Sequence, residues 1–221
     1  MNSFQQRKLD VLSKNDKSHI GTWDEKIAGL CGKINSKENY YTTSSCSGRI
    51  VLMIDQEKKG EDLFLFVSHD KVSFKKLKDE LEKISDNFVR SSPTRDLAQN
   101  SLPPAQREIN LTSRNRSPTP KGKLKIKFKM EPCILHIACE NLEDAEKLFE
   151  IGKNAGWKRL GIIGTSHGFT FELNSTEKLE FPIIQNKKIL VDDNFLKIIL
   201  EDANGKLEKC WMKIKKLEKE M

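Results

Sequence analysis

The 221-residue sequence has no apolar run long enough to cross a bilayer as a helix, which takes about 20 residues. Its opening stretch, Met1 to Asp10, is polar and lacks the apolar centre of a secretory leader. Five cysteines at irregular spacing make no disulfide framework, and an odd count fits a reducing compartment. The expectation is a cytoplasmic protein with no membrane association. No Gly-x-Gly-x-x-Gly follows a strand, since Gly161-Ile162-Ile163-Gly164 has the wrong spacing, and there is no P-loop. A Rossmann-type nucleotide or methyl-donor site is therefore not expected.

Positive charge is present but unevenly placed. Of the net +7, the span from Arg90 to Lys129 carries ten basic residues against two acids, Asp96 and Glu108, so the rest of the chain is nearly neutral. A basic segment on a neutral body favours a polyanionic partner, most simply nucleic acid. Five of the seven prolines fall in the same region (Pro93, Pro103, Pro104, Pro118 and Pro120). Residues 87–122 read as a disordered basic insertion in one domain spanning 1–221.

Around that insertion the pattern is α+β. Ser3-Phe4-Gln5-Gln6 and Thr22-Trp23-Asp24-Glu25 have capping-box spacing. The second opens a helix with Ile27, Leu30, Cys31 and Ile34 on one face. Asp24 in its first turn is favoured by the helix dipole whatever else it does. Strands are expected at 50–54, 63–67, 123–130, 133–139, 160–164, 169–173 and 179–184. Helices are expected around Phe74 to Ile84, after Asn141 with Ala145, Leu148 and Phe149 inward, and at the C-terminus. The terminal stripe is read as Phe195, Ile198, Ile199, Leu207, Trp211, Ile214 and Leu217. Hairpin then helix at 49–86 and again at 123–155 gives a faint internal repeat, so the expected fold is mixed sheets with flanking helices.

Lys123 to Met130 alternates without error, with Leu124, Ile126, Phe128 and Met130 on one face. Lys123, Lys125, Lys127 and Lys129 lie on the other, at a spacing of roughly 6.6 Å. They are the candidate RNA-binding track, although lysine also keeps an exposed strand soluble. Cys133-x2-His136-x2-Cys139 has a zinc-like spacing, but alternation along a strand puts His136 on the face opposite the two thiols. No metal is expected.

The densest chemistry lies in Tyr40-Tyr41-Thr42-Thr43-Ser44-Ser45-Cys46-Ser47-Gly48-Arg49-Ile50. A β-prone approach runs into small polar residues and then an arginine. Small residues admit a ligand close to the backbone, serines offer hydroxyls, and arginine offers a fork for carboxylate or phosphate. The same residues also suit a plain hairpin turn. Downstream, Ser68-His69-Asp70 ends a strand, where a histidine can meet a ligand or bond to its neighbour. A thiol hydrolase built on Cys46 and a non-catalytic RNA-binding module are both open on these residues.

The Tyr41–Ile50 block, Asp24-Glu25-x-Ile27, Ile34-Asn35 and Phe66-Val67-Ser68-His69-Asp70 together resemble the tRNA wybutosine-synthesizing protein 3 family. So do Lys129-Met130-Glu131-Pro132-x-Ile134-Leu135-His136-Ile137-Ala138-Cys139, Ala155-Gly156-Trp157-Lys158-Arg159 and the terminal helix. The likeness spans almost the whole chain in order. Leu160 departs from it, standing where the family usually has serine, and the insertion is long.

The resemblance implies an S-adenosylmethionine-dependent methyltransferase. It would methylate N4 of the demethylated wybutosine precursor 3′ of the anticodon in tRNA(Phe), with no stable protein partner. It implies Asp24 and His69 as catalytic candidates, either one taking the proton of the base. Arg49 with Ser44, Ser45 and Ser47 would hold the donor's carboxylate or a phosphate, with Gly48 in the same loop. Cys46 and His136 would shape the donor pocket.

Overall fold

The computed structural model describes residues 2–13, 24–56, 63–90, 125–165 and 168–221. The helices are α1 (Ser3–Leu12), α2 (Glu25–Asn35), α3 (Phe74–Arg90), α4 (Leu142–Asn154) and α5 (Asp193–Glu220). The strands are β1 (Tyr40–Cys46), β2 (Arg49–Ile54), β3 (Phe64–Ser68), β4 (Lys125–Glu131) and β5 (Ile134–Cys139), followed by β6 (Arg159–Gly164), β7 (Phe169–Asn174), β8 (Leu179–Gln185) and β9 (Lys188–Ile189).

The strands make two sheets, ordered β1-β5-β7-β6 and β3-β2-β4-β8-β9, with every pairing antiparallel. The α+β class is as expected, without the mixture of parallel and antiparallel strands. Three successive pairs (β1 and β2, β4 and β5, β7 and β8) leave one sheet and enter the other. The chain thus turns three corners along one seam, at 47–48, 132–133 and 175–178. β4 and β5 accordingly do not form a hairpin, and the hairpin–helix repeat expected at 123–155 is absent.

Alternation along β4 is realised: Ile126, Phe128 and Met130 are fully buried while the lysines between them face outward. In α5 the buried stripe is Leu196, Leu200, Ala203, Leu207, Cys210, Ile214 and Leu217. The expected stripe was one position out at its start, and Phe195 and Ile198 are exposed. Both phases hold apolar residues there, and packing against the sheets selects one. In α4 Ala145 and Leu148 are buried as expected, whereas Phe149 is exposed.

Capping follows the expected chemistry with shifted residues. Asn2, not Ser3, caps α1 by accepting from the Gln5 N–H, and Asp24, not Thr22, caps α2 by accepting from the Lys26 N–H. Asn141 caps α4 as expected. Thr22, most of the linker after Ser13, Lys123, Leu124 and 91–122 lie outside the described residues, while 87–90 continue α3.

Candidate active site at the seam of the two sheets

The stretch 44–49 is a corner between sheets rather than a hairpin turn. Cys46 pairs with Ile134 in one sheet, and Arg49 pairs with Glu131 in the other. Gly48 makes the corner with φ +99°, a region that L side chains avoid. A Cβ there would lie 3.2 Å from the Glu131 carbonyl oxygen and 3.2 Å from Leu207 Cδ2. Glycine is required here by conformation and by space together.

Asp24 reaches into this corner from the start of α2. Its Oδ1 accepts the Lys26 N–H at 3.2 Å; its Oδ2 accepts the Ser47 N–H at 3.2 Å, the Ser47 hydroxyl, and His69 Nδ1 at 3.0 Å. Burial alone would raise the Asp24 carboxyl, but the bonds from His69, Ser47 and the Lys26 backbone outweigh it and hold it below its usual value. His69 moves the other way. Its bond to Asp24, then its contact with Cys46, push its pKa up from 6.5 to about 9 against the opposing effect of burial. Near neutral pH the pair is a carboxylate beside an imidazolium.

That state limits what each residue does. Asp24 already takes four donors and His69 already carries its second proton, so the role the geometry favours for His69 is donation through Nε2–H rather than proton acceptance. Cys46 Sγ lies 3.9 Å from the same Nδ1. A thiol hydrolase needs one ring nitrogen for the thiol and the other for the orienting acid; here Asp24 and Cys46 share one. Asp24, Cys46 and His69 also have ligand-type atoms within 4.8 Å of one another. The ring nitrogen that would bind a metal is instead bonded to Asp24.

The loop that presents His69 is fastened to α5. Asn204 accepts the Val72 N–H at 3.0 Å and donates to its carbonyl at 2.9 Å.

On the open side of the seam lies a cleft of about 520 Å³, whose wall includes Ser44, Cys46, Arg49, Glu131, Asn174 and Glu180. Arg49 Nε donates to Glu131 Oε2 at 2.7 Å, and its guanidinium carbon lies 4.8 Å from the centre of the Phe64 ring. The side chain is thereby aimed while its outer face stays available. Only Ser44 of the three serines faces this cleft. Ser47 is fully buried on Asp24, and Ser45 bonds to the Cys31 thiol, which burial pushes up to about 11. His136, on the same face of the sheet as its β1 partner Ser44, bonds Glu172 Oε2 through Nε2 at 2.8 Å. Cys133 and Cys139 are fully buried on the other face, so the three never meet.

The lysine track of β4 is largely neutralised. Lys125 and Lys127 pair with Asp55 at 3.2 and 2.9 Å. Glu180 takes Lys127, Lys129 and Lys178 at 3.1, 3.3 and 3.0 Å. Lys178 first, against the effect of burial, and then Lys127 and Lys129 pull the Glu180 carboxyl down to about 2. Leu160 packs into the core rather than on the cleft, so its departure from serine leaves the cleft wall unchanged. Sequence reasoning gave no role to Glu131, Asn174, Arg159 or Glu180. Glu131 and Arg159 stand inside the stretches that carry the family resemblance, and their part in the cleft depends on the strand register.

The family model described as Methyltransferase TYW3 matches residues 5–221. A Danio rerio protein named tRNA wybutosine-synthesizing protein 3 homolog is 30% identical over 220 residues, covering 97% of this chain and 72% of its own. A Thermococcus sibiricus protein named tRNA(Phe) 7-((3-amino-3-carboxypropyl)-4-demethylwyosine(37)-N(4))-methyltransferase is 28% identical over 219 residues, covering 98% and 92%. Among solved structures, the PH1069 protein from Pyrococcus horikoshii superposes with a TM-score of 0.72 at 28% identity, over 98% of this chain and 95% of that one.

Proposed function

The chain belongs to the methyltransferase TYW3 family, and from that membership we propose that it methylates N4 of the demethylated wyosine-type base at position 37 of tRNA(Phe), the activity its archaeal relatives are named for. One observation carries the reading: the family match runs through 5–221 and so includes every residue that meets at the seam.

S-adenosylmethionine is the methyl donor in this reading, supplying an electrophilic methyl on a sulfonium. The cleft fits such a group in size, since ligand pockets hold about 300–1,000 Å³. It also fits in chemistry. Arg49, oriented by Glu131, and the Ser44 hydroxyl suit the methionine carboxylate, while Cys46 and Ile134 supply less polar wall.

The base enters at the Cys46 wall of the cleft, which His69 backs from 3.9 Å away. A fixed imidazolium there stabilises negative charge on the base and so favours loss of its N–H proton. The deprotonated ring nitrogen is the better nucleophile, and its proton passes to solvent water at the open mouth of the cleft. Asp24 keeps His69 charged and aimed; it is a positioning residue. Ser47 and Gly48 hold the corner on which both depend.

The test is calorimetric titration with S-adenosylmethionine, wild type beside Arg49→Ala, followed by methyl transfer to tRNA(Phe) from cells lacking this methyltransferase. Expected are donor binding that Arg49→Ala abolishes and label on the RNA. RNA binding with no donor heat and no label would overturn the reading and leave a non-catalytic RNA-binding module.

A further inference from the structure

Four residues stand in one row across the four strands of the first sheet. Cys46 on β1 pairs with Ile134 on β5, Ile134 with Asn174 on β7, and Asn174 with Arg159 on β6. Directly paired residues of antiparallel strands share a face, and all four line the cleft. At about 4.8 Å per strand, the backbone at Arg159 lies about 14 Å from that at Cys46.

The two ends of the row differ in charge. At the corner end Arg49 is matched by Glu131, and Lys129 and Lys178 are matched by Glu180. At the far end Arg159 is exposed and, among the described residues, has no carboxylate within ion-pairing distance. Between them sits Asn174, whose Oδ1 is buried in the wall without a hydrogen-bond partner among the described residues. A covered acceptor left unmet is costly, and a turn of the amide presents it to a donor in the cleft. The next row on this face ends at Gly161, where even a Cβ would meet open space, so the approach to Arg159 is clear.

A ligand that reaches from Cys46 to Arg159 is extended, carries a hydrogen-bond donor part-way along and is anionic at its far end. A donor held by its carboxylate at Arg49 brings only its uncharged adenosine toward that end. A ribonucleotide brings an anion there, with its base at the corner, its 2′-hydroxyl in the middle and its phosphate beyond. We propose that Arg159 binds a phosphate of the RNA chain and that Asn174 Oδ1 accepts the ribose 2′-hydroxyl beside it. This second contact would let the cleft distinguish RNA from DNA. The assignment rests on the reading of the cleft as the methyl-transfer site and names how its nucleic-acid substrate is held there.

The experiment measures binding of demethylated tRNA(Phe) across a salt series for wild type, Arg159→Ala and Asn174→Ala, with donor titration and methyl transfer on the same samples. Arg159→Ala should weaken RNA binding on the order of tenfold and reduce the slope of log K against log salt by about 0.7. Its affinity for the donor should be unchanged, and Arg159→Lys should recover the slope but not the full affinity. Asn174→Ala should narrow the preference for an RNA anticodon stem-loop over its all-2′-deoxy counterpart. If Arg159→Ala binds RNA with wild-type affinity and slope, the phosphate assignment is overturned. If Asn174→Ala keeps the full preference for RNA, the 2′-hydroxyl assignment is overturned. Should wild type transfer no methyl group while Arg159 still sets the RNA salt slope, the methyltransferase reading fails and the phosphate contact stands.

Discussion

Asp24 Oδ2 and His69 Nδ1 face each other at 3.0 Å, the first at the start of α2 and the second just past the end of β3. Both side chains are largely withdrawn from water, 8% and 20% exposed, so the pairing is strongly felt. The folded protein holds the His69 proton more tightly than the unfolded chain does. Its contribution to stability is full below about pH 6.5 and is lost as pH rises through about 9. The size is on the order of 3 kcal/mol. Asp24 behaves oppositely: its share is present above its ordinary value and lost as pH falls through the lowered one. Urea melts of wild type and His69→Asn should differ strongly at pH 6 and converge toward pH 10. A constant gap would contradict the pairing. Methyl transfer by wild type should fall above about pH 9, whereas a rise toward pH 9 would give His69 the role of proton acceptor.

Cys46 shares Nδ1 of His69 with Asp24 and so has no base of its own. Cys46→Ala should keep at least a tenth of wild-type methyl transfer. Loss on the scale of about 10³-fold or more, typical of a removed nucleophile, would reinstate a thiol mechanism.

Gly48→Ala should destabilise the protein by roughly 1–3 kcal/mol, from a positive φ together with the approach of Glu131 and Leu207. A lowered urea midpoint with unchanged slope is the expected record. Arg49 follows directly in the chain, so donor affinity should fall too.

Glu180 restrains three lysines, and Glu180→Gln should release them. Affinity for unrelated RNA should rise, with a steeper dependence on salt. The carboxylate is then an element of selectivity, one that stops the β4 lysines from holding any RNA indiscriminately. Equal salt slopes in wild type and variant would remove that role.

Much of this was legible in the chain. The alternation of Ile126, Phe128 and Met130 fixed the face of β4, and Asn141 marked the start of α4, because both are local chemistry. Asp24 and His69 were named through resemblance, and no local rule would have paired them. Whether Ser44 to Arg49 turns back on itself or crosses between sheets was not legible, because small polar residues suit either path and only the distant partners Ile134 and Glu131 decide. The neutralisation of Lys125, Lys127 and Lys129 was hidden for a similar reason. Asp55 and Glu180 come opposite them only once the register is set. The row from Cys46 to Arg159 joins four separate segments and is visible only in three dimensions.

Gly48 rests against Leu207, the Cys133 N–H donates to Cys210 Sγ at 3.4 Å, and Lys213 Nζ donates to Ser175 Oγ at 3.0 Å, so all three corners are braced by α5. That helix is translated after every residue of the corners. While the ribosome is still adding it, the residues of the corners are all present but lack these braces, and packed surfaces form domain by domain rather than residue by residue. A nascent chain therefore carries the corner residues before it has a finished pocket. The finished pocket arrives in one step, as α5 docks.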